Sequence, residues 1–394
     1  MFENLKATRP DAILKVIAEY ESDDRSQKVD LGVGVYRDAD GNTPILQSVK
    51  KAEQYLVDNQ PTKAYMGSSG SADFNREIQR VTFGNEIGSS DRITTLQGPG
   101  GSGSLRVAGE IARRANNEVS IWAGTPTWAN HIPLLGSAGV SMQSYPYYNA
   151  ETRSIEFDAF MDALGNIPSG DIVLFHGCCH NPSGMDLDED QWRAATEVVA
   201  ARGLVPFIDI AYQGLARGLQ LDNFGVRHMF ENVPEMLVAS SCSKNFALYR
   251  DRVGSLSIVS KDPATADIVR MQANSIVRTM YSMPPDHGAA VVSRILSDAD
   301  LRAEWEGEVD GMRGRLNAMR ALLGGAMKGH APGHDFSHFE RGRGMFAFAG
   351  VTPAQVERLK EEFAIYMVGS SRINIAGITE GNADPVAKAI AAVL

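Results

Sequence analysis

The sequence lacks any run of about 18 apolar residues, so nothing in it reads as a membrane span. It lacks a basic excess as well: 38 Lys and Arg against 48 Asp and Glu leave a net charge of -10. That balance argues against a nucleic-acid surface, although it leaves room for a local basic pocket. Cysteine is scarce, three in all, and no two stand in a Cys-x-x-Cys spacing; Cys178 and Cys179 are adjacent. This excludes a disulfide framework or zinc knuckle and fits a reducing compartment. No Gly-Lys-Ser/Thr triplet closes a glycine run, which excludes a nucleotide P-loop. Repeats and low-complexity tracts are missing too, so solenoids and disordered arrays are not expected. Met1-Phe2-Glu3-Asn4-Leu5 carries no basic-then-apolar export pattern, and the expected location is the cytoplasm.

What is present is a chain of 394 residues, 43% apolar and 22% charged, long enough for two domains around a large core. Short β-branched runs at 93–96, 119–123, 172–175, 204–210, 236–240 and 253–259 read as strands. Helical periodicity separates them at 105–114, 128–137 and 190–202, the last closing on Gly203 as a C-cap. This rhythm predicts an α/β fold with a mostly parallel central sheet covered by helices on both faces. From residue 300 the pattern changes to a long charged helix at 301–323. A loop rich in Gly, His and Pro and a short mixed segment follow, which predicts a second, smaller domain.

Lys244 stands in Ser240-Ser241-Cys242-Ser243-Lys244-Asn245-Phe246, directly after a predicted strand. Held neutral, its amine could bond a carbonyl carbon, and the serines with Arg250 or Arg252 could hold an anion, a combination that points to pyridoxal phosphate. A lone lysine after a strand is usually only a solvated side chain. Here Asn181 and Asp209 follow two further apolar runs, which puts three polar groups at the C-terminal ends of three consecutive predicted strands. Open α/β sheets place their ligands there.

Gly98-Pro99-Gly100-Gly101-Ser102-Gly103 precedes the helical run 105–114. The spacing of Gly98, Gly100 and Gly103 satisfies a dinucleotide fingerprint, but the next predicted strand ends in Ala123-Gly124 without the acid that would hold a ribose. The simpler alternatives are a site for a phosphate monoester at a helix N-terminus, helped by Ser102 or Ser104, and a plain glycine turn. Asp209, inside Phe207-Ile208-Asp209-Ile210, should be largely desolvated and needs a cationic or donor partner; a protonated pyridine nitrogen and a structural arginine both fit. His180 and the trio His330, His334 and His338 show no regular metal-ligand spacing, so no metal is expected. Cys178 and Cys179 read as packing residues.

Six segments then resemble one family together. They are Leu31-Gly32-Val33-Gly34-Val35-Tyr36, Thr62-Lys63-Ala64-Tyr65-Met66-Gly67, and the run from His176 to Gly184. The others are Asp209-Ile210-Ala211-Tyr212-Gln213-Gly214, Ser241-Cys242-Ser243-Lys244-Asn245-Phe246 and the run from Ser371 to Gly377. In this order, from about residue 2 to the C-terminus, the chain resembles the aspartate and aromatic amino-acid aminotransferases of the fold-type I, pyridoxal 5'-phosphate class.

The resemblance implies a large cofactor-binding domain at 44–300 and a smaller α/β domain built from both termini, 1–43 plus 301–394. It implies that Lys244 binds the cofactor covalently and shuttles the substrate proton, and that Asp209, supported by His131, keeps the pyridine nitrogen protonated. Asn181 and Tyr212 would bond the phenolic oxygen of the ring, and Trp128 would lie against it. Gly101, Ser102, Ser241 and Arg252 would hold the phosphate, with Tyr65 reaching in from a second subunit of a homodimer with shared active sites. Arg372 would clamp the substrate α-carboxylate beside the backbone of Gly34, and Arg278 from the partner would pair with a side-chain carboxylate. The implied reaction moves the amino group of aspartate or an aromatic amino acid to 2-oxoglutarate by a ping-pong route. Alternatives are a decarboxylase or lyase of the same fold and a non-catalytic binding protein. The chain departs from the aspartate branch at Ser102, where that branch has threonine, and at Met283, where it has asparagine. Ser102 leans toward the aromatic branch; Met283 matches neither.

Overall fold

The computed structural model describes residues 1–7 and 12–394. Its centre is a seven-stranded sheet made of β1 (Ile93–Pro99), β2 (Ser120–Thr125), β3 (Ser141–Pro146), β4 (Ile172–His176), β5 (Val205–Ile210), β6 (Met236–Ser241) and β7 (Val253–Val259). The spatial order is β1-β7-β6-β5-β4-β2-β3. Every neighbouring pair is parallel except those made by β7, which runs antiparallel to both β1 and β6. Both β6 and β7 are buried along their whole length, as befits central strands covered on two faces.

The flanking helices include α1 (Gly100–Ala115), α2 (His131–Gly136), α3 (Glu189–Arg202), α4 (Pro263–Met280) and α5 (Ala299–His330). In α3 the expected end holds: Gly203 is left-handed (φ 65°) and donates its N–H to Ala200 and Val199 carbonyls. Two helices differ from their sequence reading. The predicted helix at 128–137 is shorter, because it begins only at His131. Conversely, α5 runs on to His330 through Gly324, Gly325 and Gly329, residues that read as breakers. Buried Leu323, Gly324 and Met327 keep that turn on the core, and a Cβ on Gly324 would sit 3.0 Å from Glu340, so the glycine permits close packing. The strand β3, at the sheet edge, went unread because half of its side chains are exposed and polar.

Residues from the two ends of the chain meet in one short pairing, Val29 and Asp30 with Ile365 and Tyr366. Within the C-terminal part, β8 (Phe346–Phe348) pairs antiparallel with β9 (Arg372–Asn374). The long helix α5 is anchored against the segment that follows β6. Trp305, fully buried, stacks on Phe246 (centroids 4.3 Å apart, 9° between planes) and donates Nε1–H to the Asn245 carbonyl at 2.8 Å. Loss of a buried indole of this kind costs about 3–5 kcal/mol, so the turn carrying Lys244 is held stiffly. No helix among the described residues is long and apolar enough to cross a membrane.

Candidate active site

The strand register brings the site together. Val253 lies opposite Pro99, Gly254 opposite Ser241, and His176 opposite Asp209, so the end of β1, the end of β6, the start of β7 and the ends of β4 and β5 share one sheet edge. A cavity of about 160 Å³ opens there. Its lining includes Gly101 and Ser102 in the first turn of α1 together with Ser241, Ser243 and Arg252. Asp209, Tyr212, Asn181, Trp128 and Lys244 line it as well.

Local geometry explains the phosphate-sized end. No side chain caps the start of α1, so the first-turn N–H groups remain available to an anion. Gly100 takes φ 71°, and a Cβ on it would collide with the Arg252 guanidinium; only glycine lets the chain turn there beneath that cation. A Cβ on Gly101 would stand 3.2 Å from Ser241 Cβ, closing the space between helix and strand. Arg252, itself left-handed (φ 56°), reaches the Ser243 hydroxyl with Nη1 at 3.3 Å.

Asp209 is 7% exposed, and its Oδ2 lies 2.9 Å from Nε2 of fully buried His131. The sequence left open whether the partner would be an arginine; it is this histidine. His131 Nδ1 is in turn 2.7 Å from Thr127 Oγ1, which is 3.0 Å from His176 Nε2. Burial first, and then the proximity of His131, hold His176 down to about 3, so it stays neutral. Oδ1 of Asp209 makes no hydrogen bond among the described residues.

The Lys244 amine makes neither a hydrogen bond nor an ion pair among the described residues; its Nζ stands 5.2 Å from the Tyr212 ring centroid. Burial holds its amine down to about 8 from the ordinary 10.5; Asp209 opposes that shift, and Arg252 and Arg372 add to it. Burial likewise raises the Tyr212 phenol well above its usual value. Tyr212 Oη accepts a long 3.5 Å bond from Asn181 Nδ2, and Asn181 Oδ1 accepts one of 3.5 Å from Arg372 Nη1. Arg372, 6% exposed, also donates Nη2–H to the Gly32 carbonyl at 2.8 Å and lies 4.4 Å over the Phe346 ring.

A lysine whose amine is held below its ordinary value, a carboxylate held by histidine and an anion cradle in one cavity match amine-to-carbonyl chemistry on a phosphorylated aromatic ring. Residues 26–390 match the family described as aminotransferase class I and II. The chain belongs to this family.

The aminotransferase is 44% identical over 396 residues, all of both chains, to the aspartate aminotransferase of Escherichia coli K12. It is 42% identical over 390 residues, 99% of each chain, to the aromatic-amino-acid aminotransferase of Paracoccus denitrificans. A solved aromatic-amino-acid aminotransferase from Burkholderia pseudomallei, covalently bound to pyridoxal phosphate, superposes with a TM-score of 0.97 at 40% identity, covering 100% of this chain and 99% of that one. The fold and the pyridoxal phosphate dependence follow from this membership, and the donor set fits the cofactor. The cradle suits its phosphate, the unbonded Asp209 oxygen a ring N–H, and Lys244 its carbonyl carbon.

Four of the expected site residues do not line the cavity of this aminotransferase. Arg372 adjoins it through Asn181, and Gly34 lies against Phe346, whose Cζ would be 3.3 Å from a Cβ on the glycine. Tyr65 is 95% exposed, and among the described residues the exposed Arg278 side chain bonds only Ser282 Oγ. Arg250, considered as an anion holder, does not line the cavity, whereas Arg252 does. Ser243, among the serines read as able to hold an anion, lines it as well, and so does His176, which was not singled out. The signal for His176 was weak, its place as the polar end of an apolar strand. His180, which drew attention instead, is buried against Ser183 (2.7 Å) and stacked on Tyr147.

Proposed function

We propose that this aminotransferase moves the amino group of aspartate or an aromatic amino acid to 2-oxoglutarate by a ping-pong route, in the cytoplasm, as a homodimer. The observation that carries the assignment is the unpartnered Lys244 amine, held near 8, in a cavity shared with Asp209 and the anion cradle. When bound, pyridoxal phosphate supplies a carbonyl carbon that condenses with amines and a ring that accepts the electron pair from the substrate Cα. At pH 7 roughly a tenth of a pKa-8 amine is neutral, against about three in ten thousand for an ordinary lysine. Lys244 is therefore ready to bond carbon and to carry the Cα proton. Asp209, held by His131, would keep the ring nitrogen protonated, and Asn181 and Tyr212 would donate to the phenolic oxygen while Trp128 covers the ring face. Gly101, Ser102, Ser241 and Arg252 would hold the phosphate. The planar fork of Arg372 suits a bidentate grip on the α-carboxylate, with the Gly34 backbone beside it.

Tyr65 and Arg278 would complete the neighbouring subunit's site. Supporting this, their segments lie side by side on one surface: Met66 N–H donates to Met283 Sδ at 3.4 Å and the Ser68 hydroxyl to the Ser282 carbonyl at 3.0 Å. Met271, 63% exposed, and Ile268, 56% exposed, lie on the helix that ends beside Arg278, an apolar surface suited to a second copy. Residues 44–300 and the paired termini, 1–43 with 301–394, are taken as the two domains on either side of the site, a division supported by the pairing of Val29–Asp30 with Ile365–Tyr366.

The two named relatives are almost equally similar, so identity does not choose between aspartate and aromatic substrates. The deciding experiment compares kcat/KM for aspartate, tyrosine and phenylalanine with 2-oxoglutarate as acceptor. Turnover of none of the three would refute the assignment.

A further inference from the structure

Arg320 lies on α5 outside the cavity and is 1% exposed. Among the described residues, none of its hydrogen bonds reaches a carboxylate. Nε donates to the Gly344 carbonyl (3.1 Å), Nη1 to Phe339 (3.1 Å), and Nη2 to Arg343 (2.8 Å) and to Phe346. Glycines make room for the guanidinium: a Cβ on Gly342 would come within 2.6 Å of Nη1, and one on left-handed Gly184 within 2.8 Å of Nη2. The Asp186 carboxylate acts on Arg320 through space without a hydrogen bond to it, and an apolar side chain of similar volume would fill the space more cheaply than a buried cation. A planar fork matched to four main-chain carbonyls does what an apolar side chain cannot, which is to fix the path of residues 339–346.

Two short routes lead from that segment to the site. Phe346, whose carbonyl Arg320 holds, puts its ring 4.4 Å from the Arg372 guanidinium, edge-on to Tyr212 (5.9 Å, 89°) and against Gly34. Arg343, whose carbonyl Arg320 also holds, donates its N–H to the Gly184 carbonyl at 2.7 Å, and Gly184 N–H bonds the His180 carbonyl at 2.7 Å, closing the turn that carries Asn181.

We propose that Arg320 is a positioning residue for substrate carboxylate binding: by clamping the carbonyls of 339–346 it sets Phe346 against Arg372 and hangs the Asn181 turn beside it. This rests on the reading of Arg372 as the α-carboxylate clamp.

The test uses holoenzyme of the wild type, Arg320→Lys, Gly342→Ala and Arg372→Lys. The readouts are the affinity for succinate, an unreactive dicarboxylate, followed by cofactor absorbance, together with KM, kcat and the thermal midpoint. A lysine keeps the charge but cannot serve four carbonyls, while Gly342→Ala keeps Arg320 and pushes its Nη1 aside at a φ of -67° that alanine accepts. Both changes should weaken succinate binding and raise KM on the order of tenfold or more, with a smaller fall in kcat, as expected for misplacement of a clamp. Folded variants with succinate affinity and KM within twofold of wild type would overturn the proposal, even if they melt earlier, because Arg320 would then be only a stability element. Should Arg320→Lys fail to fold, Gly342→Ala decides alone by the same criteria. If Arg372→Lys leaves succinate binding unchanged, the clamp reading fails and this proposal with it. If Arg372→Lys abolishes binding while the other two variants do not, only the role given to Arg320 fails.

Discussion

Replacing Lys244 by methionine should make the cofactor-free protein more stable at neutral pH. The amine titrates near 8 in the fold against 10.5 when unhindered. Because the folded value lies below the unfolded one, the unfolded chain binds the extra proton, and the fold carries the cost of a desolvated ammonium at every pH below about 8. At about 1.4 kcal/mol per pH unit, that cost is up to about 3 kcal/mol at pH 7. It fades as pH rises from about 8 toward 10.5, and under about 1 kcal/mol remains at pH 10. Methionine has a similar length and no charge, so whatever its packing adds is the same at both pH values. Urea unfolding of cofactor-free wild type and Lys244→Met at pH 7 and pH 10 should show the variant's advantage shrinking by about 2 kcal/mol across that interval. An advantage that stays constant, or one that grows with pH, would refute the claim that burial holds the Lys244 amine well below its ordinary value.

Other perturbations test separate parts of the site. Asp209→Asn should leave the fold intact but lower kcat by several orders of magnitude, since an amide cannot stabilise a protonated ring nitrogen; turnover within tenfold of wild type would contradict the role given to that carboxylate. Arg278→Leu should reduce kcat/KM for aspartate by up to about a hundredfold, the value of a charge-assisted bond of roughly 1.5–3 kcal/mol, and reduce that for phenylalanine far less. Equal losses would show that Arg278 does not read the distal carboxylate. Gly101→Val would put methyl groups into the 3.2 Å gap toward Ser241 and should weaken pyridoxal phosphate binding at least about tenfold in an absorbance titration, with unchanged affinity counting against the phosphate cradle.

The parts of the site legible in the sequence were those announced by strand ends. Asp209, Asn181 and Lys244 each follow an apolar run, and the parallel register places such positions at one sheet edge. The glycine run at 98–103 reads either as an anion site, because glycines before a helix leave backbone N–H groups exposed, or as a plain turn, and Gly101 lines the cavity. His131 entered only through family resemblance: it is 78 positions from Asp209, and nothing local marks the pairing. Arg320 went unnoticed, since on an amphipathic helix an arginine reads as a solvated side chain until tertiary packing buries it against carbonyls. Helix α5 outran its predicted end because core contacts at Leu323 and Met327 outweigh the glycine penalty of about 1 kcal/mol per residue. Tyr65 and Arg278 show the opposite limit: in a single chain both are exposed, and their proposed use depends on a second copy.

The central claim is that Lys244 is the residue that bonds the cofactor. Sodium borohydride reduction of the purified holoenzyme, followed by proteolysis and mass spectrometry, tests it most directly. The account predicts a yellow protein whose absorbance shifts on adding aspartate, with a single phosphopyridoxyl label on the peptide containing Lys244. A label on another lysine, or no label after incubation with excess pyridoxal phosphate, would contradict it.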